Sequence, residues 1–574
     1  MRKSKRFGCL LLINALLLSG CSKITQNNNN SIPTPNEEIT EVVTPTVTTS
    51  PSEGVENGMN EYPPIATNEL HKIEDNYRTY YEVFLYSFCD SNGDGIGDIN
   101  GLISKLDYLN DNDPSTDSDL GIDGIWLMPI MPSDTYHKYD VNDYYSIDPS
   151  YGTLEDFKTL LSECEKRGIK VIIDFIFNHT SDENPWFVEA TDYIRKLPEG
   201  KAPDSKECPY IDFYNFEKDK ADSSTYYRVG MTDWYYEAVF WNEMPDLNLS
   251  SDMVRGEIEK IASYWLDLGV GGFRLDAAKE YFTGSPEKNI EVLSWFTNFC
   301  KEKDPNCYLV AEVWDSFGTI ASYYESGIDS IFNYAYGDSV GKIASAVKTA
   351  GLSKAGYNLA SNMVQVQTIF ESKNPNYIDA SFVSNHDNNR AAAYVSYDED
   401  KVKLLGGINL FMNGSSFLYY GEEIGLSGVG KDENKRAPML WSDTDKTGIT
   451  MGPPKMERQE QHFPGVDTQS KDSSSILNYY RKAIRLRNEN PEIARGKVEM
   501  IPMSDQDIAA VTKTYEGSSI IVLYNLSPEE KQLTLSKKDY SYESIRGALT
   551  TTAQQPSLQN ELVTLPAYAI VILK

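Results

Sequence analysis

Gly272-Phe273-Arg274-Leu275-Asp276-Ala277-Ala278-Lys279-Glu280 reads as the end of a buried strand: a glycine-rich entry, an apolar stretch, then an arginine two residues before an aspartate. On a strand, residues two apart point to the same face. A guanidinium at 274 would therefore hold the Asp276 carboxylate ionised and oriented, as a glycosidase nucleophile requires. Three more strand-like runs end in polar groups: Ile172-Ile173-Asp174-Phe175-Ile176-Phe177-Asn178-His179, Tyr308-Leu309-Val310-Ala311-Glu312-Val313-Trp314 and Phe382-Val383-Ser384-Asn385-His386-Asp387. Any one could be an ordinary strand end with a satisfied polar residue. Four in succession point to a shared site.

Working outward, eight strand-like runs are expected, at 80–88, 124–130, 169–177, 271–277, 308–313, 330–336, 378–384 and 416–420. Helical periodicity fills 154–167, 252–268, 286–301 and 401–412 between them. Eightfold alternation predicts a (β/α)8 TIM barrel, α/β in class, with functional groups at the C-terminal ends of the strands. The stretch between His179 and Asp246 is too long for a plain loop and shows no clear helical period. It is expected to be a small domain, 179–246, inserted after strand three. The barrel then spans 76–178 and 247–491, and short alternating runs predict a C-terminal antiparallel β-sandwich over 492–574.

The 574 residues carry 53 Lys and Arg against 85 Asp and Glu, a formal charge of -32, which argues against nucleic acid or an anionic surface as partner. Acidity of this kind also keeps an exported protein soluble. The basic start, the apolar run from Phe7 to Leu18 and Ser19-Gly20-Cys21 have the form of a signal peptide over 1–20. The apolar run is about half what a membrane span needs. Leu18-Ser19-Gly20-Cys21 resembles a bacterial lipoprotein cleavage box, so Cys21 is expected to carry a lipid and hold the protein on the outer face of a bacterial membrane. Residues 21–75 read as a disordered tether. Cys89, Cys164, Cys208, Cys300 and Cys307 are too scattered for a disulfide framework or a zinc site, though Cys300 and Cys307 could pair locally.

With these motifs, the insertion and the β-rich tail, residues 77–574 resemble an α-amylase of glycoside hydrolase family 13. The family's conserved positions are matched by Asp174, Asn178 and His179; by Arg274, Asp276 and Lys279; by Glu312; and by His386 and Asp387. Met244-Pro245-Asp246-Leu247-Asn248 resembles the intermediary group of bacterial α-amylases, while Arg436-Ala437-Pro438-Met439-Leu440-Trp441 leans toward oligo-1,6-glucosidases. The resemblance implies retaining cleavage of α-1,4 bonds in starch, glycogen or maltodextrins. Asp276 would be nucleophile, and Glu312, among Val310, Val313 and Trp314, the general acid/base that keeps its proton. Asp387 would stabilise the oxocarbenium charge. His137, Tyr139, Asp140, His179, Arg274, Lys279, His386 and Arg390 are the expected substrate-binding residues, Tyr139 as a stacking platform.

Asp90-Ser91-Asn92-Gly93-Asp94-Gly95-Ile96-Gly97-Asp98 places oxygens at alternate positions around glycines, as in the first half of an EF-hand. Calcium is expected there on Asp90, Asn92, Asp94, Ile96 and Asp98. The resemblance implies a second Ca2+ on Asn178, Asp246 and the backbone of Glu280, both ions being structural. The expected partner is an α-glucan, the membrane is met only through the lipid anchor, and the chain is expected to be a monomer. Two alternatives stand: an exo-acting glucosidase, oligo-1,6-glucosidase or glucanotransferase on the same carboxylates, and a non-catalytic starch-binding lipoprotein.

Overall fold

The computed structural model describes residues 73–574 except 114 and 353. The expected signal segment, Cys21 and nearly all of the tether lie outside the described residues. Eight parallel strands form the barrel: β1 Thr79–Val83, β2 Gly124–Leu127, β3 Lys170–Phe175, β4 Gly272–Leu275, β5 Tyr308–Ala311, β6 Ser330–Ile331, β7 Ala380–Ser381 and β8 Ser415–Tyr419. β1 to β6 pair in sequence order, β7 pairs β8, β8 pairs β1, and between β6 and β7 a single parallel bridge from Phe332 to Ala380 closes the ring. The first seven runs were expected to be longer, whereas the eighth, expected at 416–420, has the expected length one residue earlier.

The fit of strand to strand is set by residue size. Gly272 has φ +147°, and a Cβ there would collide with the backbone of Tyr308 on β5. Alternation along β1 sends Tyr80 and Glu82 to one face and Tyr81 and Val83 to the other. Tyr80 stacks on Tyr308 at 5.1 Å and on Phe417 at 5.0 Å, making an aromatic layer in the barrel interior. Glu82 falls in the next layer up, level with Trp126 of β2 and Tyr419 of β8 in the strand register.

The helices repeat one device. Thr153 caps Leu154–Lys166 in a capping box with Asp156, and Asp398 caps Glu399–Leu410. The buried stripe of Asp252–Asp267 is Val254, Ile258, Ile261, Ala262 and Trp265, at helical spacing. A further helix, Ala355–Lys373, lies between β6 and β7 and is absent from the sequence expectation; its weak amphipathicity hides it, since it is packed on more than one side.

The insertion after β3 contains a helix, Pro185–Lys196, where no helical period was expected, and a three-stranded antiparallel sheet of Phe216–Lys218, Tyr226–Arg228 and Trp234–Glu237. Asn184 caps that helix and Pro185 starts it, a signal that outweighs its mixed composition. An antiparallel bridge between His179 and Asp246 ties the insertion's two ends together. After the helix Ile476–Glu489, a five-stranded and a three-stranded antiparallel sheet enclose Ile501, Leu523, Leu533, Val563, Leu565 and Val571. Among the described residues all five cysteines are free and buried, and no helix is long and apolar enough to cross a membrane.

Candidate active site

At the C-terminal ends of the strands a single guanidinium organises the site. Arg274 Nη1 donates to Asp174 Oδ1 at 2.7 Å and to Asp276 Oδ1 at 2.5 Å, while Nη2 lies 2.8 Å from Glu312 Oε2. Arg274 is held by register, Asp174 and Arg274 being partners across β3 and β4. The rings of Trp126 and Tyr139 flank it at 5.3 and 5.7 Å. Asp276 ends β4, and Ala277 behind it is held at φ +47°, a left-handed turn that costs a residue with a side chain about 1 kcal/mol or more. That turn aims the Ala277 N–H at Glu312 Oε2, 3.0 Å away.

Glu312 was expected to sit among apolar neighbours, and the structure corrects this. It shares Arg274 with Asp276, and the Tyr334 hydroxyl lies 3.4 Å from its other oxygen. Its pKa is nonetheless raised by burial, which Arg274 opposes and to which the charges of Asp276 and Asp387 add. Burial also raises Asp276, with Arg274 opposing, and carries Asp174 up to about 7. The carboxylates crowd one another, and Asp174 exchanges its proton near neutral pH.

Asp387 behaves oppositely. Burial favours its acid form, but His386 Nε2 at 3.1 Å and Arg436 Nη2 at 3.1 Å overcome this and hold its carboxyl far below the ordinary range. His386 Nδ1 meets Glu82 Oε1 at 2.5 Å, and burial, which alone would lower the imidazole, is overcome by Asp387 and Glu82, pushing it up to about 10. The Tyr139 hydroxyl lies 2.8 Å from His386 Nε2 and donates to Asp174 Oδ2 at 3.1 Å. His179 is buried with Nε2 lacking any partner, and burial lowers it to about 4, so it is a neutral group with one ring nitrogen free.

The remaining expected residues divide. His137 lies on the loop after β2, its Nδ1 accepting from the Tyr139 N–H at 3.2 Å. Asp140 is buried within that loop, accepting from Ser133 at 2.7 Å and from Thr135, and so shapes it. Lys279 reaches away from Arg274, donating to the Trp314 carbonyl at 3.1 Å. Arg390 is a correction. It was expected to bind substrate, yet it is buried against Tyr419 and Tyr420, donating to the carbonyls of Lys435 and Tyr420. Nε and Nη1 are engaged by backbone while Nη2 is buried without a partner, and Arg436, read in the sequence only as a branch marker, supplies the cation at Asp387. Glu82 was missed altogether. A lone carboxylate in the otherwise uncharged run Tyr80–Phe88 was the available signal until Asp90.

The Asp90–Asp98 loop presents only oxygen donors. Asp90 accepts from the N–H groups of Asn92, Gly93 and Gly95, and Gly93 and Gly95 take φ of +84° and +91°. This donor chemistry fits a hard cation. Among the described residues no three His, Cys, Asp or Glu side chains converge, so Asn92 and backbone oxygen would have to complete the set. Asn178 and Asp246 fit a second ion less well. They bond each other at 3.3 Å, and the second Asp246 oxygen accepts from Val239 N–H at 3.0 Å.

A family described as "Alpha amylase, catalytic domain" matches residues 82–496. A relative named Alpha-amylase 3, from Dictyoglomus thermophilum, is 37% identical, covering 86% of this chain and 92% of its own length. An oligo-1,6-glucosidase from Parageobacillus thermoglucosidasius is 31% identical over 78% of this chain and 89% of its own. Among solved structures, Eubacterium rectale Amy13B superposes with a TM-score of 0.83 at 44% identity, covering 88% of this chain and 96% of that one.

Proposed function

The chain belongs to the α-amylase family of glycoside hydrolases, and from that premise we propose that it cleaves internal α-1,4-glucosidic bonds of starch, glycogen or maltodextrins with retention of configuration. The observation that carries this reading is the Arg274 guanidinium spanning Asp174, Asp276 and Glu312. It puts two carboxyls within one side chain's reach, the close spacing retaining enzymes use.

Asp276 Oδ1 is tied to Arg274, leaving Oδ2 to attack the anomeric carbon. As that bond forms, the glycosidic C–O bond breaks, its electrons go to the leaving oxygen, and Glu312 gives that oxygen its proton. Water then attacks the glycosyl ester, returning a proton to Glu312 and freeing Asp276. Asp387, kept anionic by His386 and Arg436, faces the positive charge that develops on the sugar ring. Tyr139 offers its ring to the sugar, and the free Nε2 of His179 suits a hydroxyl.

The exo-acting reading is favoured by one feature, Arg436 on Asp387, together with the 31% relative named oligo-1,6-glucosidase. The non-catalytic reading is disfavoured because Asp276, Glu312 and Asp387 are all present around one Arg-centred cluster. Membership in the intermediary group, anchoring through Cys21 on the extracellular face of a bacterial membrane, and one calcium ion in the Asp90–Asp98 loop complete the proposal. That ion would clamp the loop and enter no chemical step. End-blocked maltoheptaose distinguishes the readings: internal cleavage to α-anomers supports the amylase. No cleavage of it, with glucose released from unblocked maltose or isomaltose, moves the protein to the exo-glucosidases.

A further inference from the structure

Glu82 is a buried carboxylate of the barrel interior to which the reaction above gives no task. It is 1% exposed, stands on β1, and its Oε1 lies 2.5 Å from His386 Nδ1. A carboxylate is an expensive group to bury unless it is paired. Its partner has both ring nitrogens engaged, Nδ1 by Glu82 and Nε2 by Asp387 at 3.1 Å and Tyr139 at 2.8 Å. Only the doubly protonated ring donates from both nitrogens.

We propose that Glu82 is a positioning residue that keeps the His386 imidazole charged and turned so that Nε2–H points at Asp387 and the bound sugar. The surroundings bear on that charge from every side. Beside β1, Tyr419 of β8 adds a neutral phenol near Glu82 and Trp126 of β2 packs its ring edge-on at 5.7 Å from the imidazole. Asp174 of β3 and Asp276 of β4 are anions that favour the proton, Arg274 opposes it, and Arg436 Nε rests 3.3 Å from the His386 carbonyl. Two cations therefore crowd the ring, and the contacts that hold its charge are the two direct ones, Glu82 and Asp387. Burial raises Glu82, with His386 and, more weakly, Arg274 opposing, but the proton sits on the imidazole because the ring directly contacts two carboxylates, Glu82 and Asp387. Removing the Glu82 charge leaves Asp387 as the sole anion in direct contact and lets Nδ1 become an acceptor, with the ring neutral.

The test is 15N-histidine NMR of the full chain, with His386 assigned by the signal lost in His386→Gln. In the unmodified protein both His386 nitrogens should be protonated at about pH 8, above the ordinary imidazole range. In Glu82→Gln the titration midpoint should fall by about two pH units or more, and kcat/KM at about pH 8 should drop about tenfold relative to pH 6 as a charge-assisted donor is lost. Glu82→Asp should recover much of both. A neutral His386 in the unmodified protein at about pH 8 overturns the proposal without any variant. So does a Glu82→Gln protein with the original midpoint. The ring's charge is read without substrate, so its failure leaves the reading as an amylase untouched.

Discussion

Two of the buried charge clusters among the described residues differ in a way that separates function from support. At the barrel mouth, Glu82, Asp174, Asp276, Glu312 and Asp387 outnumber Arg274, Arg436 and the His386 ring. At the contact with the C-terminal sheets, Arg487 and Lys513 are buried with no carboxylate bonded to either. Arg487 donates to the carbonyls of Leu410, Met412 and Gly414, and Lys513 to those of Phe411 and Ile493 and to Asn413 Oδ1. Leu410 ends a helix, so both cations cap its negative pole. Burial pushes Arg487 down to about 9 and Lys513 well below its usual range. Excess like charge leaves protons to be moved, whereas cations laid on carbonyls hold two domains together and offer nothing to react.

The largest effect should come from the mouth. Asp276→Asn removes the attacking oxygen's charge while keeping its shape, and steady-state rates should fall about 10^4-fold with an unchanged melting temperature. Arg436→Gln should cost about 10^2-fold in kcat/KM. It should also displace the pH profile of stability. Asp387 is depressed in the folded protein, so its charged form, and the stability this adds, is present above the unfolded carboxylate value and lost as pH falls through the folded one. Without Arg436 the folded value rises, so the loss of stability on the acid side begins at higher pH.

Lys513→Met should invert the pattern: unchanged kcat, with stability lowered by about 1–3 kcal/mol because three acceptors lose their donor. Because Lys513 binds its proton less tightly folded than unfolded, stability should rise with pH between those two values. Denaturant melts of the Met variant should lack that slope. A smaller effect should follow chelation, which on the calcium proposal lowers the melting temperature by a few degrees and slackens hydrogen-exchange protection around Gly448 and Met451. Those residues are bonded to Asp90 and Gly95 of the loop.

How much of this was legible follows the same division. The barrel was readable because its strands are apolar runs ending in chemistry, and Asp276, Glu312 and Asp387 lie where those ends were placed. Arg390 was misplaced because a sequence gives a residue's position but not whether its fork meets sugar or backbone carbonyl. Glu82 and Arg436 were overlooked as site residues because their partners lie 304 and 49 residues away. The helix Pro185–Lys196 was hidden by its mixed composition, although Asn184 and Pro185 announced its start.

The central claim is that Asp276 forms the covalent bond while Glu312, on the same guanidinium, carries the proton. Peptide mapping by mass spectrometry after reaction with a slow fluorinated α-glucosyl fluoride tests it directly. A glycosyl adduct is expected on Asp276, and in Glu312→Gln it should persist because no general base is left to activate the water that hydrolyses it. An adduct on Asp387 or Glu312, or turnover to inverted product with no adduct at all, would contradict it.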